Sequence, residues 1–446
     1  MSRFKYQIIF WIVLCLIVNI KPVGAKDLIS SKPLVVDLPQ AISMALKNNP
    51  NMKASNAAIS ASIQKEKASW AARLAKVNVE YNYTRLKEAP YMKFSIPPYP
   101  PMAFPAGKDR DIKWDISIVQ PLFTGFALVT RQKLAQLGVN IANLKKEQTK
   151  LDLIRAVSIC YYNILLEKSN VDVAKESVDQ LEAHLKDAQN FYKQGLIEYN
   201  DLLKSQVAVA AAKQRLVKAK SDLDAARAML NVLLNRDIIL PIRVKNIDVR
   251  LTPIAPLNDF LLIALKKRPI LKELNLKLRQ AELGVKLAKS QFWPQVALIA
   301  RYQQEGDNLL ATRNDYTNSY NSMIIVSAKW NIFSWGQTYH QVKAAQDNVF
   351  ILRQTIFDVK NKIKLQVKKA WLSVRVALEN IDTAKSALRQ ARENYRITNL
   401  QYKHQLATST DVLDARKYLT QAETNYHQAL YGYEIALCNL KRAIGE

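Results

Sequence analysis

Glycine is scarce in this chain, at 10 of 446 residues. That excludes an architecture of Gly-rich loops and suits long helices. Cysteine is scarcer still, at 3. Cys15 lies in an apolar N-terminal run, which leaves Cys160 and Cys438, too few for a disulfide scaffold. Both fall on predicted helices. They read as buried free thiols, or as a bridge if those helices are neighbours. Histidine occurs only at His184, His340, His404 and His427, with no metal-ligand spacing. GxxxxGK[ST] and GxSxG are both absent, so the chain shows neither a phosphate cradle nor a nucleophile elbow. No enzyme, cofactor or metal is expected. Acid is also short: 38 Asp and Glu stand against 65 Lys and Arg, a formal charge of +27. Such an excess points to nucleic acid, an anionic membrane or an anionic cargo.

The N-terminus narrows that choice. Arg3 and Lys5 precede an apolar run from Ile8 to Ile20, and Val23-Gly24-Ala25 follows. This reads as a secretory signal over residues 1–25, cleaved after Ala25. The run is short of the ~20 residues that span a bilayer. No cysteine stands at the cleavage point for lipid attachment. Export removes nucleic acid from the expected partners. Solvated helix faces such as Leu144–Lys150 are the expected home of most of the basic excess. A basic lumen for anionic cargo and contact with lipopolysaccharide are the other readings.

What the chain does have is a duplication. LPQAISMALKNNPNMKASNAAI from Leu38 matches LNDFLLIALKKRPILKELNLKL from Leu257, at an offset of 219. QPLFTGF from Gln120 matches WNIFSWG from Trp330, at an offset of 210. FYKQGLIEYNDLLKSQ from Phe191 matches QYKHQLATSTDVLDAR from Gln401 at the same 210. The first half carries extra residues in a loop with the Pro cluster Ser95–Gly107, which suits neither helix nor central strand. The expected organisation is therefore one repeat over 26–240 and a second over 241–446. Each would hold a helix, two strands and a long helical hairpin.

The hairpins show in the heptads. Val412, Leu419, Tyr426, Tyr433 and Leu440 repeat every seventh residue, with Ala415, Ala422, Ala429, Ala436 and Ala443 three places on. Leu202, Val209, Leu216, Leu223 and Leu230 do the same in the first half. So do Val171, Val178, Leu185 and Tyr192, and Ile381, Leu388, Tyr395 and Tyr402, on the preceding helices. A strict seven-residue seam winds helices left-handedly around a partner. The hairpin tips fall near Gly195 and Gln405.

Alternating segments complete each repeat. Val77, Val79, Tyr81 and Tyr83 interleave with polar residues, as do Ile112, Trp114, Ile116 and Ile118. Val296, Leu298, Ala300 and Tyr302 form a third apolar face, and Ile324, Val326, Ala328 and Trp330 a fourth. Period two means strands. A half-buried soluble sheet would show the same pattern. In an exported chain whose helices are too long to cover such a sheet, transmembrane strands fit better. Four strands leave two edges that lipid cannot satisfy, so more than one chain is expected to close the wall.

These features together resemble the TolC-like outer-membrane factors. The matching marks are the duplicated Ala-Leu-x-x-x-Pro helix start, the Pro121–Gly125 turn, the two tip segments and the terminal heptads. The resemblance implies a mainly α fold with a small β part. Long antiparallel helical hairpins would form a periplasmic tunnel, and four strands per chain would enter a trimeric 12-strand barrel. It implies an outer-membrane exit duct of a tripartite efflux pump in a Gram-negative cell. The implied partners are two further copies, a periplasmic adaptor protein, an inner-membrane transporter and outer-membrane lipid. A type I protein-secretion duct and a periplasmic coiled-coil scaffold are the alternatives. The implied periplasmic gate maps onto Asp201, Tyr402, Asp411 and Asp414. Gln405 replaces the family's tip glycine and Ala407 stands where a basic residue is usual, so Lys204 is a candidate substitute partner. Asp411 also suits ordinary helix capping. The implied adaptor-docking tips are Gly195, Leu196, Gln405 and Leu406.

Overall fold

The computed structural model describes residues 33–446, so the signal segment expected over residues 1–25, with Cys15, lies outside the described residues. In chain order the first elements are β1 (Leu34–Val36), α1 (Leu38–Asn48), α2 (Pro50–Ala71), β2 (Lys76–Arg85), β3 (Tyr91–Phe94), β4 (Met102–Pro105) and β5 (Arg110–Thr124). The hairpin of α3 (Ala127–Lys193) and α4 (Tyr199–Leu233) follows, then β6 (Ile242–Val244). The second half runs α5 (Leu257–Lys267), α6 (Pro269–Lys289), β7 (Gln295–Gly306), β8 (Tyr320–Lys329), α7 (Gln337–Lys403) and α8 (Ser409–Ile444). The helices α3 and α7 are each 67 residues, and α4 and α8 are 35 and 36. At 1.5 Å per residue the first pair are each roughly 100 Å long.

Local chemistry explains the boundaries. Pro50 and Pro269 each open a helix, where a missing N–H costs nothing. Asn49 caps the first of them, its side chain accepting from the Asn51 N–H at 2.9 Å. The strand-to-helix turn at Gly125 has φ +59, and a Cβ there would lie 2.4 Å from the Ser290 carbonyl oxygen, so only glycine fits. The second repeat makes the matching turn with Trp335 at φ 50 and Gly336 at φ 78. The glycine has moved by one position within the same left-handed pair.

The chain divides into two compact units, and each draws on both repeats. One comprises the described residues up to Ala45 with Ala156–Arg250 and Glu379–Ile435; the other comprises Leu46–Arg155, Leu251–Leu378 and Ala436–Glu446. The first unit holds both hairpin tips. Its helices pack through the heptad positions: Val178, Leu181, Val209 and Ala212 form a buried cluster, with Leu185, Leu216 and Leu413 against it. Val412, Ala415 and Leu419 are buried as the seam requires. Here too β1 pairs in parallel with β6, and the Tyr161 hydroxyl donates to the Lys245 carbonyl at 2.7 Å. Cys160 is buried, Cys438 is half-buried, and no disulfide joins them. Burial pushes the Cys160 thiol up to about 11.

The second unit holds a four-stranded antiparallel sheet in the order β2-β5-β7-β8. Its register aligns the four apolar faces. Val79 lies opposite Ile116, Ile116 opposite Tyr302, Ile118 opposite Ala300, and Ala300 opposite Ile324. That face is open, with Val77, Ile118 and Ile324 all exposed. The Pro-rich insertion, read from sequence as a loop, carries a separate two-stranded ribbon of β3 and β4. Proline is compatible with such a ribbon because both its strands are edges. No described helix is long and apolar enough to cross a membrane.

Candidate functional site: the hairpin tips

Both tips use the same backbone. At the first, the Gly195 N–H donates to the Tyr192 carbonyl and the Leu196 N–H to that of Phe191, each at 2.9 Å. At the second, Gln405 donates to Tyr402 at 2.9 Å and Leu406 to Gln401 at 2.8 Å. This is a Schellman-type helix end with a left-handed residue at the turn. Gly195 takes φ 72 without strain, while Gln405 adopts φ 62 despite its Cβ. Leu196 and Leu406 are 46% and 79% exposed, so both tips present an apolar side chain outward.

The helix restarts differ. Thr408 and Asp411 form a reciprocal capping box at the start of α8. The Thr408 N–H and hydroxyl donate to the Asp411 carboxylate at 2.8 and 2.7 Å, and the Asp411 N–H donates back to the hydroxyl at 3.2 Å. Those bonds hold the Asp411 carboxyl below its ordinary value. The start of α4 has Glu198 at the cap without a side-chain bond. There Lys204 pairs with Asp201 at 3.1 Å and lies 3.4 Å from the Thr410 hydroxyl, so it links α4 to the start of α8. Asp414 is exposed.

Tyr402 is buried among all four helices. Its ring lies 4.7 Å from that of His184 and 5.5 Å from that of Phe191. Burial, with Asp187 and Asp201 nearby, raises its hydroxyl above the ordinary value. His184 is itself buried and lies 2.9 Å from the Ser409 hydroxyl, which lies 3.0 Å from that of Ser205. Residues from α3, α4, α7 and α8 thus meet in one polar knot. Desolvation lowers His184 to about 4, so it is neutral at physiological pH.

The structure therefore brings Asp201, Lys204, Tyr402 and Asp411 close to the tips, and leaves Asp414 facing solvent. Sequence reasoning missed His184, Ser205 and Ser409. A signal existed for the first: Ser177, Leu181, His184 and Ala188 are all buried at heptad spacing. Further from the tips, Arg416 is buried and donates to Gln180 at 2.7 Å; it lies 3.5 Å from Glu423. Burial lowers Arg416 and raises Glu423. Among the described residues no cluster of metal-ligating side chains occurs.

A sheet with one open apolar face and two free edges, joined to duplicated heptad hairpins, defines a membrane-wall protein with a helical extension. The family profile for outer membrane efflux proteins matches residues 41–236 and 261–446, and the chain belongs to that family. The outer membrane protein TolC of Escherichia coli strain K12 is 24% identical over 339 residues, covering 72% of this chain and 66% of its own. The toxin and drug export protein A of Aggregatibacter actinomycetemcomitans is 24% identical over 302 residues, covering 64% of this chain and 60% of its own. The chain thus spans just under two thirds of the first relative's length and three fifths of the second's. The solved structure of CusC superposes with a TM-score of 0.76 at 16% identity, covering 92% of this chain and 93% of that one. The fold is thus that of the TolC-like channels, and the chain is an outer-membrane protein of a Gram-negative cell with a long periplasmic extension.

Proposed function

We propose that the chain is the exit duct of a tripartite efflux pump. Three copies close a barrel of twelve strands, four from each, and an adaptor docking at the hairpin tips opens the periplasmic end towards an inner-membrane transporter. One observation carries this reading: β2 and β8 are unpaired edges of a sheet whose apolar face is open. In hydrocarbon each unpaired N–H or C=O costs several kcal/mol, so an edge must find a partner strand. The same open face argues against a soluble coiled-coil scaffold. The duct is passive; its partners supply the energy.

At the closed end Asp201, Asp411 and Asp414 from each copy converge on the symmetry axis. Gathered carboxylates repel one another and attract cations. Reconstitution of the purified protein in planar bilayers, with its oligomer mass measured, tests the duct. A water-soluble monomer that never conducts would refute it. Asp414→Asn should raise single-channel conductance and weaken block by multivalent cations. Asp411→Ala should do the same while also loosening the α8 start. Leu196→Asp with Leu406→Asp should abolish efflux at normal oligomer mass. A protein-secretion duct is the second reading, favoured by the relative named for toxin as well as drug export. Export of a protein substrate, with small-molecule resistance unchanged on deletion, would select it.

A further inference from the structure

The β3–β4 ribbon is a surface that the duct does not explain. Met92 lies opposite Phe104 and Phe94 opposite Met102, so these four residues share one face. All four are about half exposed, and the two phenylalanine rings meet edge-on at 6.1 Å. A two-stranded ribbon this small cannot bury its own apolar face, and alone in water it is marginal. Something must cover it.

The ribbon extends the β2–β5 hairpin. Leu86 donates to Asp109 at 2.7 Å and Ala106 to Pro90 at 2.8 Å, so pairing continues past the sheet. At the sheet's end Arg85 lies opposite Arg110. Two exposed like charges across a strand pair destabilise it unless an anion sits between them. The level is informative. β2 follows α2 and has 10 residues, which at a barrel tilt rise about 25 Å, the height of a lipid-facing band. Arg85 and Arg110 therefore stand at the headgroup level on the side away from the helices, with the ribbon just beyond. From Arg85 to Arg110 the chain has five basic and two acidic residues. Lys108 among them is already paired with Asp307 and Asp315, and the exposed Arg110 guanidinium lies 3.9 Å from the Asp109 carboxylate, a loose pair that does not lie between the two arginines in the ladder.

We propose that the ribbon is a lipid-docking arm: Arg85 and Arg110 take the phosphates of anionic outer-leaflet lipid, and the Met92–Phe94–Met102–Phe104 face lies in the interface between headgroups and acyl chains. Charge complementarity and continuity with the lipid-facing sheet select lipid over a protein partner. Apolar area plus basic charge is the combination that holds peripheral segments on anionic membranes. The inference rests on the outer-membrane placement, not on the pump assignment.

The test uses the full-length oligomer in vesicles of phosphatidylcholine with and without phosphatidylglycerol. A fluorophore is placed at Met102→Cys after Cys160→Ser and Cys438→Ser. With anionic lipid, nitroxide-bearing lipids should quench the label and aqueous iodide should not. Arg85→Gln with Arg110→Gln should lower the docked-to-free ratio about 30-fold. Arg85→Lys with Arg110→Lys should keep docking, showing that charge and not misfolding was lost. Iodide access equal with and without anionic lipid would overturn the proposal. So would protection of the label in lipid-free detergent, which would put a second copy over the ribbon. Conductance recorded on the same samples reports the duct separately.

Discussion

The two hairpin tips are copies of one turn, and they have diverged in how they are anchored. Tyr192 and Tyr402 occupy the same place 210 residues apart, yet the first is 41% exposed and the second 2%. The second tip restarts with a reciprocal cap and the first with none. Ser409, which meets His184, stands where the first repeat has Tyr199, and His184 itself stands where the second has Asn394. Identical backbone hydrogen bonds therefore hold two ends of unequal firmness. The two tips share one turn, and their side chains make one an anchor and leave the other looser.

The largest test of this contrast is Tyr402→Ala. Removing a buried aromatic side chain should cost about 3–5 kcal/mol locally, against about 1 or less for Tyr192→Ala. Amide hydrogen exchange at the two tips measures both, and equal losses would break the comparison. Next comes pH. His184 is neutral in the fold at about 4 but titrates near 6.5 when exposed. Below 6.5 the unfolded tip binds a proton that the folded tip refuses. Stability of the knot is full above 6.5 and falls as pH drops towards 4, by roughly 3 kcal/mol. Asp187 opposes this by favouring the charged ring. His184→Gln should flatten the dependence in exchange rates. Smaller effects follow at the caps. Thr408→Ala should cost about 1 kcal/mol, while Glu198→Ala should cost close to nothing. Smallest is Gln405→Gly, which should stabilise the second tip by up to about 1 kcal/mol by relieving the left-handed strain. Gly195→Gln should cost a similar amount.

Much of this was legible beforehand, for stated reasons. Period two placed Val77–Tyr83 and Ile112–Ile118 on strands, and the observed register puts those residues opposite one another. Period seven located the helices that bury Val412 and Leu419. The tips followed from comparing two copies, which supplied evidence a single copy lacks. The knot around Tyr402 did not follow. Heptad spacing marks His184 as a seam position, but His184 and Ser409 are 225 residues apart, and nothing within one helix announces which polar residue will meet it across the seam. Arg416 was hidden for the opposite reason: it stands beside Ala415 on what reads as a polar flank, yet it is buried. The β3–β4 ribbon was masked by its prolines, which argue against a sheet interior but permit an edge.

Leu34 is fastened beside Ile242, and the Tyr161 hydroxyl bonds the carbonyl of Lys245 next to that pair. A chain delivered from its amino end thus presents its first described strand long before the strand it must join. Until roughly two hundred more residues arrive, that opening segment has no place to go. The β1–β6 pair thus closes only after the whole first hairpin is in place.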